Sequence, residues 1–298
     1  MEDRPAFPPS IAVEVKAIAC QLPCERKLPL SRLSLSEIRR EVIRQGVVAS
    51  ISKTTLWRWL SQDAIQPWRF RTWLFPRDPN FADRAGRVLD LYARVWDGAA
   101  LSADDFVISA DEKTSIQARR PEHSSTPTQP HQPMRVQNDY ERLGAWVYLA
   151  AWDVHRAKIF GRCELANGSA PFNRLVAQVM TDEPYRSARR VFWIVDNCSS
   201  HRGQRSVERL RARWPHLVLI HTPVHASWLN QIEIYFSIIQ RKVLTPNDFH
   251  TLDAVQDRLL SFQDHYQQIA QPFDWRFTRA DLANLLLKLS KSKSAVAA

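Results

Sequence analysis

The chain has 298 residues, room for two folding units, and its 41 Lys plus Arg against 31 Asp plus Glu leave a net charge of +10. That surplus suits a polyanionic partner or simply a basic soluble enzyme. Nothing in the composition suits a membrane span, a secretory leader, a disulfide framework or a zinc site: no apolar run nears the roughly 20 residues a bilayer needs, and Cys20, Cys24, Cys163 and Cys198 lack the spacing.

Residues 1–33 are punctuated by Pro5, Pro8, Pro9, Pro23 and Pro29, around one apolar-periodic piece, IAVEVKAIAC. Ser34 or Ser36 then caps a helix through LSEIRREVIRQ, with Leu35, Ile38, Val42 and Ile43 on one face and Gly46 ending it. Ser52 caps a second helix, KTTLWRWLSQ, with Leu56, Trp59 and Leu60 facing inward. Two readings of this pair stand. One is an ordinary helical hairpin. The other is a helix-turn-helix whose second helix exposes Lys53, Thr54, Thr55 and Arg58, residue types that reach phosphates and base edges in a major groove. Charge favours the second: ten Lys/Arg between Arg26 and Arg71 face only Glu37, Glu41 and Asp63, so the stretch carries +7.

Residues 61–80 read as a linker arm in which Arg69 and Arg71 interleave with Trp68, Trp73 and Phe75. The arm either follows nucleic acid or docks on the next domain. FADRAGRVLDLYARVWDG is an amphipathic helix. From residue 105 the period changes. DFVISADEK is a strand, residues 119–139 a polar insertion, and WVYLAAWDV and KIFGRCELA two further strands separated by a turn at His155–Ala157. PFNRLVAQVMTDE, SVERLRARW, NQIEIYFSIIQRKVL and LDAVQDRLLSFQDHYQQIA are helices, with a weaker one at RADLANLLLKL, and VFWIVDN and LVLIHTP are strands. Three strands followed by alternating helices and strands predict an α/β fold, a mixed sheet flanked by helices.

Asp111 closes FVISA and Asp196 closes FWIVD. Each alone is better explained by a strand-terminating turn than by function, since Asp-Glu and Asp-Asn form turns readily. Glu233 differs. It lies in the apolar helix WLNQIEIYFSIIQ, three residues after Asn230 and on the same side, so both need a compensating partner. Two Asp and one Glu form an all-oxygen set suited to Mg²⁺ or Mn²⁺, and two such ions at roughly 3.5–4 Å can activate water and stabilise a leaving oxygen in phosphoryl transfer.

The blocks ISADEKTSIQA, IVDNCSSHRG and HTPVHASWLNQIEIYFSIIQRKVL, in that order, resemble the DDE transposases of the mariner superfamily, specifically the bacterial insertion-sequence-630 branch. The 36 residues between Asp196 and Glu233 match the close spacing of that branch, and KTTLWRWL, PWRFRTWLFPRDPNF and WRFTRADLANLL extend the likeness over roughly residues 25–288. The resemblance implies an RNase H-like catalytic domain over 101–298, a linker and helix over 61–100, and a helix-turn-helix DNA-binding region over 1–60. It implies Asp111, Asp196 and Glu233 as catalytic metal ligands for two Mg²⁺ or Mn²⁺ ions. Asn197, His201, His225 and Asn230 become candidates to support those ligands or position DNA, and Trp228 fits packing better. Lys53, Thr54, Thr55, Arg58, Arg69 and Arg71 become the DNA contacts.

The implied reaction is cleavage of double-stranded DNA at an element's terminal inverted repeats, then joining to target DNA at a TA dinucleotide. A cytoplasmic, nucleoid-associated protein, dimeric when it synapses two ends, follows. Branch members generally begin with two helix-turn-helix units, and here IAVEVKAIACQLPC reads as the trailing end of the first, so the start is expected to be truncated or misassigned. Two alternatives are a non-catalytic relic that occupies element ends and a general nuclease of the same fold.

Overall fold

Residues 7–69, 76, 78–197 and 203–296 are described by a computed structural model. Arg71, Trp73, Phe75 and His201 lie outside them. The chain divides into two compact units, Met1–Leu74 and Phe75–Ala298.

In the first unit, helix α1 (Pro9–Ala19), α2 (Leu35–Arg44) and α3 (Lys53–Gln62) close around one core of Val15, Ile18, Leu33, Ile38, Val42, Leu56 and Leu60. Of the two candidate caps for α2, Ser34 serves. Its hydroxyl accepts from the Glu37 N–H at 3.3 Å, while the Glu37 carboxylate accepts from the Ser34 N–H at 2.7 Å. Gly46, at φ +71°, ends the helix as expected. It lets the Gly46 and Val47 N–H groups donate back to the carbonyls of Ile43 and Val42. Ser52 caps α3 by accepting from Thr55 N–H at 3.0 Å. Val15, Ile18 and Ala19 of IAVEVKAIAC are buried in the same core as the helix pair. An apolar helix without a sequence-adjacent partner simply cannot be assigned from periodicity.

The second unit starts ahead of the expected boundary at 101. Helix α4 (Phe81–Tyr92) buries Phe81, Ala85, Val88, Leu89 and Leu91 in the core of this unit, so it belongs to the sheet and not to a linker. The sheet strands are β1 (Asp105–Pro121), β2 (Tyr140–Asp153), β3 (Lys158–Glu164), β4 (Arg190–Val195) and β5 (Leu217–His221). Their order is β3-β2-β1-β4-β5. The first three pair antiparallel, and β4 and β5 add in parallel. Helices α5 (Ser169–Met180) and α6 (Gln204–Arg213) follow β3 and β4. Helix α7 (Ile232–Lys242), α8 (Leu252–Ile269) and α9 (Arg279–Val296) follow β5.

Two apolar cores, one containing Phe172 and Trp193, the other Tyr148, Phe192 and Tyr235, cover the sheet on both faces. That is why β4 reads as an unbroken apolar run.

One expectation is corrected by β1. It does not end at Lys113 but runs 17 residues, leaving its parallel partner after Ser109 and continuing antiparallel to β2 as far as Pro121. Ser115, at φ +58°, sits at a bulge between Lys113 and Ile116 that bends this extension. The supposed insertion is thus largely the tip of a long hairpin.

Candidate active site

The parallel pair β1–β4 ends at Ser109–Ile194, and two residues further along the chain come Asp111, still within β1, and Asp196, just past the end of β4. Brought to one end of a parallel pair, the two acids share the location where open α/β sheets collect functional groups. Asp111 therefore sits inside a strand, not at its end as expected. What ends there is only the parallel ladder.

Glu112 completes a group of three. Asp111, Glu112 and Asp196 each offer a carboxylate oxygen, and these oxygens lie within 4.8 Å of one another. Sequence reasoning missed Glu112 because Asp-Glu was read as a turn pair. Glu233, in the first turn of α7, lies outside that 4.8 Å group but within electrostatic reach of both aspartates. Burial, reinforced by the charges of Asp196, Glu112 and Glu233, pushes the Asp111 carboxyl up to about 8. Burial also raises Glu233, Asp196 adding to the rise and the Lys113 ammonium opposing it. One divalent ion on their oxygens would reverse the effect, so the donor set fits Mg²⁺ or Mn²⁺.

A buried polar clasp holds the site. Asn230, 1% exposed, donates through Nδ2 to the Ala110 carbonyl at 3.0 Å and to Asp111 Oδ2 at 3.3 Å, while its Oδ1 accepts from the Ser109 hydroxyl. Ser109 Oγ in turn accepts from Ile232 N–H at 2.9 Å, and Asp111 Oδ1 accepts from Glu112 N–H at 2.8 Å. The Tyr92 hydroxyl donates to the Leu229 carbonyl at 2.6 Å and accepts from Gln231 N–H at 3.3 Å, fixing the same turn to α4. These bonds place the start of α7, and hence Glu233, against β1. Ser109 and Tyr92 gave no warning in sequence, since their partners lie more than 100 residues away.

The remaining candidates scatter. Asn197 donates to the Thr222 carbonyl, tying the end of β4 to that of β5. With Asp196, Thr222 and His225 it lines an open cleft of about 410 Å³. His225 is exposed in a left-handed turn at φ +60°. Trp228, 41% exposed, packs edge-on against Phe277 at 5.2 Å. In the first unit Lys53, Thr54, Arg58 and Arg69 are exposed, whereas Thr55 is half-buried with its hydroxyl 2.9 Å from that of Ser52.

Among solved structures the chain is similar to the Mos1 mariner paired-end complex with Mn, at 14% identity and TM-score 0.57 over 90% of this chain and 76% of that one. A Mos1 paired-end complex with the left transposon end gives 12%, 0.54, 91% and 76%, and a pre-cleavage Mos1 transpososome 12%, 0.53, 99% and 82%. Identities this low establish a shared fold, the RNase H-like mixed sheet. No curated protein matches the sequence. The family model described as DDE superfamily endonuclease matches residues 107–256, just over half of the chain, which includes Asp111, Glu112, Asp196 and Glu233. The chain belongs to the DDE superfamily endonuclease family.

Proposed function

We propose that the protein is a DNA transposase of the bacterial insertion-sequence-630 branch of the mariner superfamily, which cuts DNA at the ends of its element and joins them to a TA-containing target. One observation carries this: mutually repelling acids at the end of the parallel pair, in a chain of the DDE endonuclease family. The three-block resemblance and the fold shared with Mos1 transposase complexes support the finer assignment.

In this reading Asp111, Asp196 and Glu233 are the catalytic ligands, and Glu112 is a fourth acid of the same oxygen cluster. A pair of bound divalent ions supplies charge neutralisation at the phosphoryl oxygens and a more acidic water. The chain's own part is positional. Asn230 orients Asp111, and the Ser109–Ile232 bond sets the approach of Glu233. Lys113 offsets the charge that Glu233 would otherwise present to a phosphate.

The three-helix unit binds the terminal inverted repeats through Lys53, Thr54 and Arg58, with Arg69 and Arg71 following the backbone. The first unit, Met1–Leu74, forms the binding region and the second, Phe75–Ala298, the catalytic part. Two copies hold the two ends. No helix among the described residues is long and apolar enough to cross a membrane, and we place the protein in the cytoplasm at the nucleoid.

The test uses the purified full chain, DNA carrying the sequences that flank its gene, and Mg²⁺ or Mn²⁺. Wild type nicks at the repeat ends, and Glu233→Gln binds the same DNA without cutting it. Binding by the wild type without any metal-dependent nicking overturns the reading in favour of a non-catalytic relic. Cutting indifferent to competitor DNA of unrelated sequence replaces it with a general nuclease.

A further inference from the structure

Beyond the acids, the extension of β1 and the outer half of α7 enclose a second cleft of about 300 Å³. Its walls include Lys113, Gln117 and Arg119 from β1 and Asn247 from the turn after α7, with Ile116 and Leu244 as its apolar part. Among the described residues two cations and no carboxylate line it, and its lining begins at Lys113, next in the chain to Glu112 of the acid group.

The cleft is built rather than incidental. Asn247 clasps the β1 backbone, accepting from Arg119 N–H at 3.1 Å and donating to the Gln117 carbonyl at 2.8 Å. The Arg119 guanidinium lies over the Tyr140 ring at 4.7 Å, which restrains it. Its Nε is buried and donates to no group among the described residues, and the side-chain oxygen of Gln117 is likewise buried and unpaired. A restrained arginine whose Nε donor is unused among the described residues is suited to an acceptor that a ligand brings into the cleft.

The two elements that form the cleft also carry the acids: β1 holds Asp111 and Glu112, and α7 holds Glu233. Lys113 belongs to both places, lining the cleft and acting on the Glu233 charge.

We propose that the cleft seats the nucleotide next to the scissile phosphate, with Lys113 and Arg119 holding its phosphate group. This rests on the DNA-cutting reading above, and it assigns β1 beyond the bulge to strand positioning.

The probe is a fluorescein-labelled oligothymidylate of about ten nucleotides, titrated with the full chain in Ca²⁺ over a range of salt concentrations. Arg119→Gln is expected to bind about 10-fold more weakly. Its log K against log salt slope should be shallower by about 0.7, one phosphate contact on a single strand. Arg119→Lys recovers the slope, and Lys113→Gln shows the same loss should Arg119→Gln melt early. Arg120→Gln removes the same charge one residue along, where Arg120 pairs with Glu141 outside the cleft, and should bind as wild type.

Equal losses in Arg119→Gln and Arg120→Gln, or no binding of the oligonucleotide by wild type, overturn the proposal. Because Ca²⁺ titration needs no cutting, the two readings fail separately. A wild type that cannot nick but shows the Arg119 pattern sinks the transposase reading alone. A wild type that nicks without the pattern sinks the cleft alone.

Discussion

Glu41 in the helical unit and Asp111 in the sheet are both carboxylates taken partly out of water, and the chain treats them in opposite ways. Glu41, 3% exposed, receives Arg44, Gln45 and Arg26, and the Arg44 bond leads in holding its carboxyl down at about 2. Asp105, at the start of β1, is settled similarly by Arg190 at 2.9 and 3.0 Å. Asp111 faces Asp196, Glu112 and Glu233 instead, and is pushed up to about 8 by burial and by those like charges. An acid compensated by its own chain contributes to the fold. One crowded by acids is disfavoured as a carboxylate despite its bonds from Asn230 and Glu112, and a divalent cation on its oxygens would reverse that.

The contrast can be broken most sharply by neutralising one acid of each kind. Asp196→Asn should lower metal-dependent cleavage by about 1,000-fold or more, as loss of a unit that acts together does. In metal-free buffer Asp111→Asn should melt no lower than wild type, since it removes a carboxyl that burial and the charges of Asp196, Glu112 and Glu233 oppose. A large drop in melting temperature would show that the Asp111 carboxylate is structural.

Removing Asn230 probes the clasp. Asn230→Ala should cut the cleavage rate by about 10- to 100-fold with DNA affinity unchanged, the usual scale for a residue that orients a ligand. Unchanged cleavage would mean Asp111 is positioned by the strand alone.

Glu41→Ala should do the opposite of Asp196→Asn. It has no bearing on chemistry but destabilises the helical unit by about 2 kcal/mol, a figure discounted because Arg44 is largely in solvent. Equal stability in urea titrations would show that the Arg26–Glu41–Arg44 cluster contributes nothing.

The smallest effect is on pH. The Glu41 carboxyl lies near 2 folded against an ordinary 4.5, so its stabilisation is complete above about 4.5 and drains away as pH falls toward 2. Glu41→Gln should flatten that acid limb. An acid limb identical to that of wild type would refute the assignment.

Much of this was legible in the sequence where pattern and chemistry coincide. Ser34 followed by Glu37 announced a cap, and the apolar run of β4 announced a strand covered on both faces. Glu233 in an apolar helix announced a need for a partner. What stayed hidden depends on residues distant in sequence or on backbone alone. Asp111 looked like a strand end because a parallel ladder can stop while the same strand continues antiparallel. The bulge at Ser115 is a backbone event without a glycine to mark it. Asn230 was suspected from its neighbourhood, but its partners Ser109 and Ala110 lie some 120 residues away. The burial of helix α1 comes from α2 and α3, not from its own weak periodicity, so the sequence did not announce it.

The most direct test of the central claim is a thermal melt of the full chain against increasing Mn²⁺, with Asp111→Asn and Asp196→Asn alongside. If the acids form a cation site, Mn²⁺ at about 100 times its Kd stabilises wild type by about 2.7 kcal/mol and leaves both variants nearly unmoved. A wild type indifferent to Mn²⁺, or variants that respond as it does, would contradict the account.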